Sequence, residues 1–374
     1  MNLKFKNIFS IFITILIIFL LNSIVYAEDA NGVSSYTPIR GKVLKVIKEY
    51  EETQGQGKES EKLKVQNLQI EILEGDFKGE KVSIDNHVSP SKQNGTCYQN
   101  NDEVLLILEP GGNGEISSVS IYQFARDKYL KYFLISFCII MILIGRWKGI
   151  KSLLTLGITV FFIVNVFLKY ILKGYNPFIV SIFVCICITT ITFVIVSGIN
   201  RKTISAILGT TGGVMIAELI AVFVGNLCKV NAISSEEAQT LLYSNLNNPL
   251  NFKNIFFATV LIGALGAVMD VSMSISSSMS EIREANRNIS TAKLMKSGMN
   301  IGRDIMGTMS NTLVLAYASG ATFLILSCMA NGVTLLDMIN QDMIACEIIK
   351  TLSGSIGLIF TIPLTVVISG MLDK

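Results

Sequence analysis

The chain has 374 residues, of which 51% are hydrophobic and only 16% are charged. A soluble globular domain has about 25% charged residues, and the deficit in this chain lies mainly after residue 128. The net charge of +3 is small and does not favour nucleic acid as a partner. The composition therefore predicts a multi-pass membrane protein with one water-facing domain.

Residues 1–27 are typical of a secretory signal peptide. Lys4 and Lys6 form a basic start, an apolar run continues to Leu21, and Ala27 ends a plausible cleavage site. The alternative is an uncleaved anchor, which gives the same orientation because both lysines would remain inside. Either interpretation makes the residues that follow extracytoplasmic.

Residues 28–128 have the pattern of a small β domain. Apolar and polar residues alternate in part, and turn residues separate the alternating segments. Such a pattern fits a small antiparallel β-barrel, either OB-like or SH3-like. Strands are predicted at 41–50, 63–73, 81–85, 104–108 and 116–122.

Residues 129–374 are predicted to form an α-helical bundle in the membrane. A span needs about 20 mostly apolar residues. Basic residues concentrate in alternate connections, at 145–151, 201–202 and 277–304, whereas the connection at 330–345 has none. The positive-inside rule then places residues 28–128 outside the cell membrane and the C-terminus in the cytoplasm. The seven predicted spans lie near 130–145, 152–171, 178–198, 203–227, 254–276, 306–329 and 346–370.

Asp270 lies inside the fifth predicted span. A charged side chain at the centre of a membrane helix costs about 2.5–3.5 kcal/mol on insertion scales. Helical spacing places Gly263, Gly266, Asp270 and Ser274 on one face, and small residues allow another helix to approach closely. We therefore expect Asp270 to face other helices and not lipid.

The sixth predicted span offers a helix that could face Asp270. Asp304, Gly307 and Asn311 share one face of it, so Asn311 or Asp304 is expected near Asp270. Carboxylate, amide and hydroxyl oxygens suit a hydrated cation or a proton relay. The structural alternative is a protonated Asp270 that only bridges helices. Further candidates are Glu218 and Glu347 for the polar site, and Gly354 and Gly357 for close helix packing.

The sequence favours no enzymatic activity. The seven cysteines form no metal or disulfide pattern, so no metal and no cofactor are expected. His87 is the only histidine, which excludes a His-Glu-x-x-His zinc motif and a Ser–His pair in the membrane. An aspartyl mechanism needs two acids in one site, and Asp304 is predicted at the membrane surface. No catalytic residue is therefore assigned.

Three segments of the membrane region resemble one protein family. They are Gly266–Ile275, Gly302–Leu313, and Gly354–Gly357 with Pro363–Thr365 after it. Together with Tyr122–Arg126 at the end of the β domain, they resemble the YibE/F-like family of bacterial multi-pass membrane proteins. The resemblance implies an aspartate at the position of Asp270 and implies no biochemical activity.

Two functions remain open from the sequence. The first is a permease or ion-coupled transporter with a polar site around Asp270, because acids inside the membrane are usually functional. The alternative is a scaffold or sensor that transports nothing and whose extracytoplasmic domain binds an envelope partner. The expected partners are the lipid bilayer and either a second copy of the chain or a related membrane subunit.

Overall fold

The computed structural model describes residues 38–54, 61–88, 95–110, 116–244 and 249–372. The predicted signal segment lies outside these residues. The described chain forms two compact units, with the division between Ile140 and Met141. The first unit contains a β-barrel and the second contains a helical bundle.

Five antiparallel strands form a nearly closed barrel, so the predicted small antiparallel barrel is confirmed. The strand order is β3-β2-β1-β4-β5, and the two outermost strands also contact each other. Because β4 returns to pair with β1, four of the strands form a Greek key. Every strand is longer than predicted: β1 Ile39–Gln54, β2 Glu61–Ile72, β3 Lys81–Val88, β4 Glu103–Pro110 and β5 Ile116–Phe124.

Among the described residues, the barrel interior is apolar apart from the amide of Gln66, which is hydrogen-bonded. Leu68, Ile70 and Leu106 are fully buried there. Gln66 is also buried, and its side chain accepts a hydrogen bond from the Tyr98 N–H at 2.9 Å and donates one to the Tyr98 carbonyl at 3.2 Å. These bonds hold the segment before β4 against the barrel, and they remove the cost of burying an unpaired amide.

Charged side chains connect the barrel to the first helix, α1 (Asp127–Phe161). Arg40 of β1 lies 3.2 Å from Glu103 and 2.5 Å from Asp127. A hydrogen bond from Lys128 is the main reason that the pKa of Glu103 lies below its usual range. The network fixes the position at which the chain leaves the barrel.

Ten helices follow the barrel in the described part of the chain. A π-helical segment, Phe162–Leu168, joins α1 to α2. Five stretches are long and apolar enough to cross a membrane, with α1 to α2 taken as one, and the pair α7 and α8 (bent by 55°) would make a sixth. The seven predicted crossings therefore stay a prediction. The helices after α1 are α2 Lys169–Leu172, α3 Pro177–Ser197, α4 Arg201–Leu227, α5 Glu236–Tyr243, α6 Phe252–Ala285, α7 Thr291–Gly320, α8 Thr322–Ala330, α9 Leu335–Asn340 and α10 Asp342–Leu372.

Helix α1 bends sharply at Arg146, which has φ 48° and ψ −128°. A Cβ atom at Gly149 would overlap the backbone carbonyl oxygen of Met141. In a straight helix, residues this far apart in sequence are separated by about 12 Å. The chain therefore turns back on itself at the connection that the sequence places at 145–151.

Helix α6 lies at the centre of the bundle, where it packs against α3, α4, α7 and α10. Its buried face carries Leu261, Val268 and Ile275 at helical spacing. Asparagine side chains cap three of the long helices, and Asn251 accepts the Asn254 N–H at 3.0 Å at the start of α6. Asn176 and Asn200 do the same for α3 and α4.

Candidate functional site

Asp270 lies on the exposed side of α6 within this copy, and the expectation that it faces other helices and not lipid stays a prediction. Gly263, Gly266 and Ser274 share that exposed face, as the helical spacing predicted. Within the described part of the chain, the carboxylate of Asp270 has no hydrogen-bond or ion-pair partner. The reason is that α6 turns its opposite, more apolar face into the bundle.

No hydrogen bond or ion pair joins Asp270 to its predicted partners among the described residues. Asn311, Asp304 and Gly307 lie on the exposed side of α7. Glu347 of α10 is half-buried and pairs with Lys350, 2.7 Å away on its own helix. The polar site around Asp270 therefore stays a prediction.

Glu218 of α4 is the candidate site residue that is buried inside the helical bundle. Its side chain is 1% exposed, and its Oε1 atom has no hydrogen-bond partner. Among the residues that the structure describes, no other acidic or basic side chain is so deeply buried. An uncompensated buried acid costs several kcal/mol or is neutralised by a proton or cation.

Helices α4 and α10 approach each other closely beside Glu218. A Cβ atom at Gly213 would overlap Thr361 Oγ1 and lie 3.0 Å from the Gly357 carbonyl. A Cβ atom at Gly209 would overlap Thr365 Oγ1 in the same way. We call this contact the α4–α10 seam; it comprises Gly209, Gly213 and Ala217 of α4 with Gly357, Thr361 and Thr365 of α10.

The seam contains hydroxyl groups that are buried and unsatisfied. Thr365 Oγ1 and Ser369 Oγ have no hydrogen-bond partner among the described residues. Thr361 donates to the carbonyl of Gly357 at 2.9 Å, within its own helix. These three hydroxyls lie on one face of α10. They extend from the level of Gly213 of α4 towards the C-terminal end of α10.

Helices α3, α6 and α10 pack against α4, the helix that carries Glu218. Thr210 and Ser272 form a hydrogen bond between α4 and α6, about two turns of α4 from Glu218. Ser276 donates to the carbonyl of Lys202 at 2.5 Å, further along the same pair of helices. Cys185 of α3 lies near Glu218.

The other glycines named from the sequence fall into two groups. Gly354 and Gly357 lie at close helix contacts, and Gly263 lies under the hydroxyl of Tyr317. Gly266 and Gly307 have no atom within 4 Å of an added Cβ, so neither lies at a contact inside the chain. The expectation that these two allow close packing is wrong within a single copy.

The donor set indicates what the Glu218 site can bind. Among the described residues, no group of three His, Cys, Asp or Glu side chains could hold a metal ion. A single carboxyl suits a proton or one monovalent cation better than a divalent metal. Sequence reasoning named Glu218 but ranked Asp270 first. The overlooked signal is the small-residue spacing Gly209, Gly213, Ala217, Ala221 and Gly225 around Glu218.

A β-barrel followed by several apolar helices is the architecture of a membrane protein with several helices. The family model described as "YibE/F-like protein" matches residues 133–374, and the "YibE/F family N-terminal domain" matches residues 34–124. The chain belongs to the YibE/F-like family. No curated protein and no solved structure matches it.

Proposed function

We propose that this chain is an ion-coupled membrane transporter and that Glu218 is the group that takes up the coupling ion. The observation that carries the proposal is the enclosed carboxyl of Glu218, with one oxygen unpartnered and 1% of the side chain exposed. Acids inside a membrane bundle commonly mark ion pathways and proton relays. The proton is the simplest ion for this site, because binding it neutralises the buried charge.

Helix α10, which packs against the helix that carries Glu218, has a weak point in its backbone hydrogen bonding. Pro363 lies inside α10, and proline cannot donate the backbone hydrogen bond to the carbonyl four residues earlier, at Ile359. The unpartnered hydroxyl of Thr365 is two residues away. Movement of α10 at Pro363 would loosen the α4–α10 seam, and alternating access requires a helix movement of this kind.

Proton flux in reconstituted liposomes tests the proposal. An imposed potassium diffusion potential drives protons, and a pH-sensitive dye inside the vesicles reports their entry. Glu218→Gln keeps the size of the side chain and removes its ionisable proton, so flux should fall to the level of empty liposomes. Glu236→Gln, the same change at the start of α5 on the surface, serves as the control and should retain flux. Equal flux in the two variants would reject the role of Glu218.

We propose that the connection at 145–151 lies in the cytoplasm and that α5 lies outside. The support is the distribution of basic residues between alternate connections. Single cysteines at Lys148 and at Gln239 should react differently with a membrane-impermeant maleimide added to intact cells. Only the Gln239→Cys chain should be labelled before lysis, and the opposite result would reverse the orientation.

A scaffold or sensor is the second candidate function. The observation in its favour is that the barrel is a compact unit with its own buried core. Deletion of residues 38–124 should then abolish the function of the protein in cells. The same deletion should leave proton flux through the helical part in liposomes unchanged. If removal of the barrel leaves the phenotype intact, the barrel does not carry the function.

A further inference from the structure

Two neighbouring helices expose polar groups where a membrane protein would meet lipid. Asp270 of α6 is exposed and unpartnered among the described residues. On α7, the hydroxyls of Thr308 and Thr312 bond only to carbonyls of their own helix, at 3.0 and 2.8 Å. We call the combined surface the α6–α7 face; it comprises Gly266, Asp270 and Ser274 of α6 with Gly307, Thr308, Asn311 and Thr312 of α7.

The two halves of the α6–α7 face lie at the same depth. A Cβ atom at Gly302 of α7 would lie 3.3 Å from Ile275 Cδ1 of α6, and Gly263 of α6 lies under Tyr317 of α7. These two contacts define an antiparallel pairing of the helices. With the two contacts as reference points, Asp270 lies at the same depth along the helix pair as Gly307 and Thr308. Asn311 lies about one helical turn away from that depth.

We propose that a second copy of this chain covers the α6–α7 face, with α6 of each copy against α7 of the other. Asp270 needs hydrogen-bond donors, and the Asn311 amide and the Thr308 and Thr312 hydroxyls supply them. Two copies inserted in the same orientation bring groups of equal depth together. A two-fold axis then satisfies both aspartates at once, since each contact occurs twice in such an interface.

Open space at two glycines fits this arrangement. Gly266 and Gly307 have nothing within 4 Å of an added Cβ atom inside the chain. Small residues on an exposed membrane helix let a second helix approach closely enough for polar side chains to bond. Both glycines lie within about one turn of the depth of Asp270, where the partner helix must approach.

Leucine at the open glycines tests the proposal directly. Because each site is empty within one copy, Gly266→Leu and Gly307→Leu should fold normally but keep the second copy away. Gly157→Leu on α1 is the matched control, because that glycine is also open. In lipid bilayers, single complexes of fluorescently labelled protein should lose fluorescence in one bleaching step for each copy. The wild-type chain and the Gly157→Leu control should bleach in two steps, and Gly266→Leu and Gly307→Leu should bleach in one step.

Cross-linking in native membranes gives an independent measurement. Copies with Gly266→Cys and differently tagged copies with Gly307→Cys should form a mixed disulfide under mild oxidation, and replacing either with Gly157→Cys should abolish it. One-step bleaching of the wild-type chain overturns the proposal. So does persistent two-step bleaching in both leucine variants, or a disulfide that forms equally with Gly157→Cys.

Discussion

At the residue scale, one carboxyl and two hydroxyls are buried and unpartnered on two packed helices, α4 and α10. Glu218, Thr365 and Ser369 each contain a buried oxygen with no partner among the described residues. Glu218 lies about 13 Å along α4 from Gly209, the residue that contacts Thr365. A buried acid without a partner is costly, which is the reason for proposing that Glu218 takes up an ion.

The hydrogen bond between Thr210 and Ser272 gives a prediction at this scale. Ser272→Ala should destabilise the bundle by about 0.6 kcal/mol, the average for such bonds between membrane helices. In a double-mutant cycle with Thr210→Val, the two changes should be non-additive because each removes the same bond. Reversible unfolding in detergent measures all four free energies. Additive effects would show that the bond contributes no coupling.

Sequence reasoning at the residue scale identified the acids but not their surroundings. Helical spacing correctly put Gly263, Gly266, Asp270 and Ser274 on one face of α6. Spacing alone does not tell which face meets neighbouring helices, because that depends on where α3, α4, α7 and α10 pack. The sequence therefore does not tell which of Glu218 and Asp270 is buried within the chain.

At the element scale, the α4–α10 seam is the closest helix contact near Glu218. The ideal Cβ of Gly357 would lie 2.8 Å from the Gly213 carbonyl and 2.5 Å from Ala217 Cβ. Only glycine permits two backbones to lie this close. Side chains larger than hydrogen at these positions would push α10 away from α4.

Gly213→Val tests the seam. The added side chain would overlap Thr361, and overpacking of this kind costs about 1–3 kcal/mol. The midpoint of thermal unfolding in detergent should fall clearly. Gly157→Val, at a glycine with open space, should leave the midpoint near that of the unchanged protein. Similar midpoints for the two variants would mean that the seam is looser than described.

The elements themselves were partly predictable. The strands and the barrel were predicted because alternation and turn residues are local signals. The bend at Arg146 falls within the basic connection at 145–151, and it separates two helical segments of α1. The connection placed at 277–304 is much shorter in the structure, since helix α6 continues to Ala285 and α7 begins at Thr291.

At the scale of the whole molecule, the chain combines a barrel and a helical bundle, each with its own core. The family match covers both parts. We propose different roles for the two acids: Glu218, buried in the bundle, takes up the ion, and Asp270, exposed on α6, contacts a second copy. The sequence could not separate these roles, since both acids occur in apolar helices rich in glycine.

The most direct test compares the two acids in one proton-flux experiment with reconstituted protein. The account predicts that Glu218→Gln abolishes flux, whereas Asp270→Asn, which keeps a hydrogen-bonding side chain of the same size on the exposed face, retains most of it. Proton flux that survives in Glu218→Gln would contradict the assignment of Glu218 as the ion-coupling residue. Loss of proton flux in Asp270→Asn but not in Glu218→Gln would contradict it as well.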